Sequence, residues 1–349
     1  MDKLTLAYAT DVLMDFMSPL RPHMEDPLVQ EIKVNHGSNV WIEKQGSSFH
    51  DTGIVIDDVA VSAAINTLAN INGKKAAKIL DCRLPGLRIA AAQHPIAIHG
   101  SALCIRKHAR SNMRLPNYLE RGIFDVLPPD SAKELQYMAD KPSYDDIRKG
   151  GIGLMEFLRW IVKSRRNVII TGSTSSGKTT LLNALLAEIP ETDRVLTIED
   201  TAELLIALLD YVGFESGDDV TIRGLVRLAL RFAPKRIIVG ECRGAEAYDL
   251  MAALNTGHQG GFVTFHGDSA FQALPRLEGM VRQSEEGKNW PLADLRQQIA
   301  STFHYVIHAA HDYGVRGPIE IREMLGADGG MYRTRLLYSK VLKEEHLYA

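Results

Sequence analysis

From residue 152 onward the apolar residues follow two alternating spacings. Short continuous runs such as Val168-Ile169-Ile170, Ile237-Ile238-Val239 and Phe262-Val263-Thr264-Phe265 read as strands buried on both faces. Stretches with helical spacing separate them. The pattern predicts helix 154–164, strand 167–171, helix 178–188, strand 194–199, helix 221–232, strand 236–241, helix 245–255 and strand 261–266. Strand-like segments recur at 304–309 and 318–323. Strands alternating with helices predict a largely parallel sheet covered on both faces.

The first half has a different texture. Val29–Val34 and Val40–Glu43 read as two strands around the turn His36-Gly37-Ser38-Asn39. Residues 58–72 have helical apolar spacing, and strand-like runs return at Leu87–Ala90 and Ala102–Ile105. Between 107 and 150 the chain becomes polar and basic, with Pro116, Pro128-Pro129, Pro142 and Gly150-Gly151, the composition of a connection between domains. The expected division is a smaller mixed α/β N-terminal domain over 1–125, a linker over 126–150, and a second α/β domain with a mostly parallel sheet over 151–349.

Composition narrows the function classes. The chain has 349 residues, 45% of them hydrophobic, enough for two cores. The net charge of −3 implies no general affinity for nucleic acid. Cys82, Cys104 and Cys242 lie far apart without metal-ligand spacing, which suits a reducing compartment. The first residues lack the basic start and apolar core of a signal peptide. No apolar run reaches the roughly 18 residues that a membrane-crossing helix needs. These features give the expectation of a cytoplasmic protein, with peripheral membrane association left open.

The chemistry concentrates after strand 167–171. Gly172, Ser173, Thr174, Ser175, Ser176, Gly177, Lys178, Thr179 and Thr180 form a complete phosphate-binding P-loop between a strand and a helix. Backbone N–H groups of 173–178 can point at phosphate oxygens, and the helix N-terminus adds about half a positive charge. Lys178 is expected to reach the β- and γ-phosphates, and the Thr179 hydroxyl to ligate magnesium. The strand Arg236–Val239 leads through Gly240 to Glu241, the candidate that orients or deprotonates the attacking water. Gly240 stands where a magnesium-binding Asp is usual, so Thr179 with water, or another acid, must carry that coordination. Glu199 and Asp200 end another strand and are candidates to hold metal-bound water or arginines. Asp200 serves equally well as the start of a helix. His258, in Gly257-His258-Gln259-Gly260-Gly261, and His266, ending Phe262–Phe265, are candidates to sense the γ-phosphate. Arg223, Arg227 and Arg231 share one helical face, either solvated or in contact with phosphate or an adjoining subunit.

The order GSTSSGKTT, TIEDTAEL, RIIVGECRGAEAYDLMAALNTGHQGG and TFH resembles the secretion traffic ATPases, the hexameric motors of type II and type IV secretion, conjugation and type IV pili. The blocks correspond to that family's Walker A, Asp-box, Walker B (whose Gly-Glu ending is the family's own form) and His-box motifs. EIKVNHGSNVWIEKQG, LDCRLPGLRIAAAQHP and HGSALCIRKHA resemble the N-terminal domain of the conjugation/type IV secretion (Vir/Trb-type) branch and its tight-adherence pilus cousins. The resemblance spans about 25–325. The loop 84–88 looks shortened, which leaves open whether Arg83 or Arg88 takes the family's position, and Gly267 stands where alanine is common.

The resemblance implies a RecA-like P-loop ATPase domain, ATP and Mg²⁺ as ligands, and a homohexameric ring. It implies catalytic roles for Lys178, Glu199, Glu241 and His266, and an arginine reaching the nucleotide from the N-terminal domain, matched by Arg106, with Arg121 a weaker match. It implies inner-membrane secretion-machine components and coupling ATPases as partners, at the cytoplasmic face of the inner membrane, with no sequence-specific nucleic-acid binding. The implied function is a motor for pilus assembly or for DNA or protein transfer. A pilus extension or retraction motor and a nucleic-acid-dependent RecA-like motor are the alternatives.

Overall fold

A computed structural model describes residues 3–35, 39–45, 49–73, 78–107, 141–217, 219–312 and 315–340. Most of the connection expected over 126–150 lies outside this set, as does Arg121. The chain divides into two compact units, one of 1–132 with 210–220 and 228–233, the other of 133–209, 221–227 and 234–349.

In the first unit, helix α1 (Lys3–Phe16) and the short α2 (Arg21–Glu25) precede strands β1 (Val29–Val34), β2 (Asn39–Lys44) and β3 (His50–Val55). Helix α3 (Asp58–Ile71) leads to β4 (Ile79–Leu84), β5 (Leu87–Ala92) and β6 (Ala102–Lys107). The sheet order is β3-β2-β1-β6-β5-β4 and every pairing is antiparallel. Asp57 caps α3, its carboxylate accepting from the Val59 N–H at 2.9 Å. Val61, Ala64, Ile65 and Leu68 of α3 then face Ile32, Val34, Ile89 and Ile105 in one apolar core. The tight β4–β5 hairpin sets Arg83 directly opposite Arg88.

The second unit begins with α4 (Tyr144–Lys149) and α5 (Gly151–Lys163). Leu154, Phe157, Trp160 and Ile161 form the buried stripe of α5, and Phe157 meets Tyr305 edge-on at 5.3 Å. There follow β7 (Val168–Thr171), α6 (Lys178–Leu186), β8 (Val195–Glu199), α7 (Ile222–Ala229), β10 (Arg236–Val239), α8 (Glu246–Leu254) and β11 (Phe262–Phe265). Strand β9 (Tyr211–Glu215) falls in the first unit. Helices α9 (Ala273–Val281) and α10 (Leu292–Thr302) precede β12 (Tyr305–Asp312), β13 (Val315–Asp328) and β14 (Met331–Ser339).

The strand order β14-β13-β12-β7-β11-β10-β8 has a parallel core, β12-β7-β11-β10-β8. Every residue of β7, β8, β10 and β11 is buried, as a strand covered on both faces requires. The last strands depart from the alternating pattern: only two residues separate β12 from β13 and β13 from β14, too few for a crossover, and both pairs are antiparallel. The parallel core gives this sheet two chemically distinct ends. All five core strands point the same way, so the loops after them gather at one edge and the residues before them at the other.

Candidate active site

The loop after β7 lies at the C-terminal edge. It passes close to β12: a Cβ on Gly172 would collide with the Ala309 carbonyl oxygen, so only glycine fits there. Ser175 has a φ of +59° and Gly177 one of +91°, the conformations that wrap the loop before α6 starts at Lys178. The Lys178 ammonium donates to the carbonyls of Gly172 (3.0 Å) and Ser173 (2.8 Å). Partial burial lowers its pKa, opposed by the charge of Glu241. An ammonium held over the mouth of its own loop is placed to exchange those carbonyls for phosphate oxygens. Thr179 sits one residue further, in the first turn of α6.

The same edge receives the ends of β8, β10 and β11. Arg243 grips Glu241 with two hydrogen bonds, Nε to Oε1 and Nη2 to Oε2, both 3.0 Å. Its third nitrogen reaches Asp200 Oδ2 at 2.8 Å. His266 Nε2 lies 3.4 Å from Glu241 Oε1. The Arg243 guanidinium holds the Glu241 carboxyl below the usual carboxylate range, with smaller contributions from His266 and Lys178. Glu241 is therefore ionised at neutral pH and fixed in orientation. Thr264 Oγ1 donates to the Gly240 carbonyl at 2.5 Å, and Cys242 N donates to the Thr264 carbonyl at 2.8 Å, anchoring the segment that carries Glu241.

Gly240 has a steric explanation. A Cβ there would lie 2.8 Å from Glu199 Cγ, so the glycine makes room for the Glu199 side chain. Glu199 is buried, and its Oε1 accepts from the backbone N–H groups of Glu203 and Leu204, both at 2.9 Å. An acid does stand beside position 240, supplied by the neighbouring strand. Asn183 of α6 accepts from Leu205 N at 2.9 Å, tying the segment after β8 to the P-loop helix.

The structure thus brings Lys178, Thr179, Glu199, Asp200, Glu241 and His266 to one edge. It does not bring His258 there. His258 precedes β11, at the opposite edge, with Nδ1 2.8 Å from the Pro234 carbonyl oxygen. Two of the stripe arginines are also committed elsewhere. Arg223 and Arg227 both bind Asp249 (2.5 and 2.6 Å) and Glu286 (2.5 and 2.9 Å), a closed square of charges. In the first unit Arg231 pairs with Asp81 at 2.6 Å, and Arg106 with Glu31 at 3.4 Å.

Sequence reading overlooked Arg243. The signal was present: Glu241 and Arg243 are two apart just after a strand-forming run, the spacing that puts side chains on one face where a chain continues extended.

Hard oxygen donors suit magnesium, which takes one or two protein ligands and completes its shell with water and phosphate. The Thr179 hydroxyl and the Glu199 and Glu241 carboxylates at this edge are such a set, and among the described residues no closed cluster of three or more metal-binding side chains competes with them.

Comparison with known proteins agrees with this geometry. A family described as type II/IV secretion system protein matches residues 15–310. The type IV secretion system protein VirB11 of Brucella suis is 31% identical over 310 residues, which cover 84% of each chain. The type IV secretion system protein PtlH of Bordetella pertussis is 33% identical over 308 residues, 84% of this chain and 89% of PtlH. A crystal structure of the Brucella suis VirB11 ATPase, in complex with sulphate, matches with a TM-score of 0.80 and 29% identity over 92% of this chain and 97% of that one.

Proposed function

The chain belongs to the type II/IV secretion system protein family, and from that premise we propose how it works as the ATP-hydrolysing motor of a type IV secretion system. It binds nucleotide and hydrolyses it. The observation that supports the mechanism is the convergence of Lys178, Glu199, Glu241 and His266 from four strand ends on one edge.

ATP lies along the P-loop, its phosphates held by the N–H groups of 173–178. Lys178 Nζ exchanges its two loop carbonyls for β- and γ-phosphate oxygens. Thr179 and Glu199 are the residues that would hold magnesium, which would supply charge neutralisation to the phosphates when bound. Glu241, kept ionised and aimed by Arg243, accepts the proton of the attacking water. His266 senses the γ-phosphate through its neighbour Glu241. His258 has no part in this subunit's chemistry.

The proposed organisation is an N-terminal domain over 1–125, a linker over 126–150 and a RecA-like ATPase domain over 151–349. On the family resemblance, Arg106 is the arginine that the N-terminal domain contributes to the nucleotide. Six copies form the working ring, at the cytoplasmic face of the inner membrane, in contact with the membrane components and coupling ATPases of the machine. No described helix is long and apolar enough to cross a membrane.

Light scattering on the Glu241→Gln protein, with and without Mg-ATP, tests the ring. The expected species is near six times the 38.7 kDa chain and is stabilised by ATP. A monomer or dimer at every concentration would withdraw the ring and the role of Arg106 with it.

A further inference from the structure

We infer that Arg316 is a further nucleotide-binding residue, holding the end of ATP that carries the nucleoside and α-phosphate. The inference rests on the P-loop reading above and extends it to a strand that carries none of the recognised motifs.

The β12–β13 hairpin runs beside the P-loop. Pairing of β12 with β7 ends at His308 opposite Thr171, and the next carbonyl, that of Ala309, packs against Gly172. A Cβ on Gly172 would also come within 2.6 Å of Ser176 Oγ. The chain then reverses, and β13 sets Arg316 opposite His311. A Cβ on Gly177 would lie 3.5 Å from Arg316 Cβ and 3.7 Å from Gly317 N. Arg316 therefore starts its side chain in contact with the residue that caps the P-loop helix. An arginine side chain starting there is long enough to bring its guanidinium to the helix N-terminus, where the phosphates bind.

Arg316 is exposed, and among the described side chains no carboxylate pairs with it. Other arginines of this unit are committed: Arg243 to Glu241 and Asp200, Arg322 to Glu320 at 2.5 Å.

Strand order decides which end of ATP it meets. In β13-β12-β7-β11-β10, the groups assigned to the γ-phosphate, Glu241 and His266, follow β10 and β11 on one side of β7. Arg316 comes from the other side. A nucleotide with its γ-phosphate towards Glu241 directs its nucleoside end towards the β12–β13 hairpin. Arg316 should then contribute equally to ATP and ADP, which share that end, and little to the chemical step.

The test is titration calorimetry of Mg-ADP, and of Mg-ATP in the Glu241→Gln background, with Arg316 and with Arg316→Ala, beside steady-state kinetics of the single variant. Loss of one charge-assisted contact predicts that both affinities fall about tenfold and KM rises to match, with kcat held within about twofold. Arg316→Lys, which keeps the charge, should recover part of the loss. Without nucleotide the melting temperature should stay unchanged, and Mg-ADP should raise it less than in the wild type. Unchanged affinities would overturn the inference. So would a loss confined to Mg-ATP, which would put Arg316 at the γ-phosphate, or a fall in kcat at constant KM. A wild-type chain that bound neither nucleotide would overturn the P-loop reading itself.

Discussion

The two edges of the parallel sheet are built from the same strands and use charge in opposite ways. At the C-terminal edge, apart from buried Glu199, the charged groups are part-exposed and their partners exchangeable: the Glu241 side chain is 26% exposed and that of Arg243 61%. At the N-terminal edge the central ion pair is sealed. Arg236 and Asp193 are 0% and 1% exposed, joined at 2.7 Å, and Arg165 closes on the second Asp193 oxygen at 2.5 Å. Asn167 is the hub beside them. Its Oδ1 accepts from Gly260 N and Gly261 N, its Nδ2 donates to the Thr302 carbonyl, and its own N–H donates to His304 Nδ1. A buried network of this kind specifies one geometry, because any broken member leaves an unpaired polar group in low dielectric. A solvated one lets ions trade partners at little cost, which a reaction cycle requires.

Removing the largest charges sharpens that contrast. Lys178→Ala should abolish turnover in a phosphate-release assay while leaving the melting temperature near that of the wild type. Glu241→Gln should lower turnover by about 10²–10⁴, the range for a general base, and keep ATP binding. Near-normal turnover in that variant would remove Glu241 from its role. Asp193→Ala should do the reverse. It strips the partner from buried Arg236, which costs about 3–5 kcal/mol of stability in urea unfolding, while the molecules that remain folded keep their kcat. A folded Asp193→Ala protein without activity would break the comparison, by showing that the sealed edge reaches into the chemistry.

A pH experiment reads the sealed edge with a smaller signal. Burial, aided by the charge of Arg166, lowers the pKa of His304 from its ordinary 6.5 to about 4. The folded state therefore binds fewer protons than the unfolded chain between those values. His304 contributes its full share of stability above pH 6.5, and that share is lost as the pH falls towards 4. At pH 5 the wild type should have lost at most about 2 kcal/mol through this one group. In His304→Asn, which cannot titrate there, the drop between pH 7 and pH 5 should be smaller by that amount. Equal drops would mean that His304 is charged in the folded protein.

How much of this was legible in the sequence follows from what each element does with its side chains. Strands β7, β10 and β11 stand out because burial on both faces demands unbroken apolar runs. Strand β14 does not: its first residues alternate between exposed and half-buried, with Arg333 and Arg335 outward, so no run marks it. Strand β3, in which no residue is buried and His50 and Asp51 are exposed beside a half-buried Thr52, is hidden for the same reason. The P-loop and Glu241 are legible because phosphate chemistry fixes residue types at fixed spacing. The fate of Arg223 and Arg227 is not, because Asp249 and Glu286 reach them only through tertiary folding. In the sequence Gly240 marks only a missing acid. Only the structure shows Glu199 occupying that space from the next strand.

The two histidines give the finest version of the comparison, since sequence placed both at the γ-phosphate. They flank β11, so one strand separates them and sends them to opposite edges. His266 is 3.4 Å from Glu241, whereas His258 is bound to the Pro234 carbonyl. His266→Ala should lower kcat about tenfold, the equivalent of one charge-assisted hydrogen bond, with unfolding nearly unchanged. His258→Ala should leave kcat alone and lower unfolding free energy by about 1 kcal/mol, one ordinary hydrogen bond. The crossed design separates the readings: each variant is scored for both turnover and urea midpoint. If His258→Ala lost turnover at full stability, the N-terminal edge would have to meet nucleotide in some assembled form of the protein. Its sealed network would then be positioning a functional residue for a neighbouring copy as well as holding the sheet together.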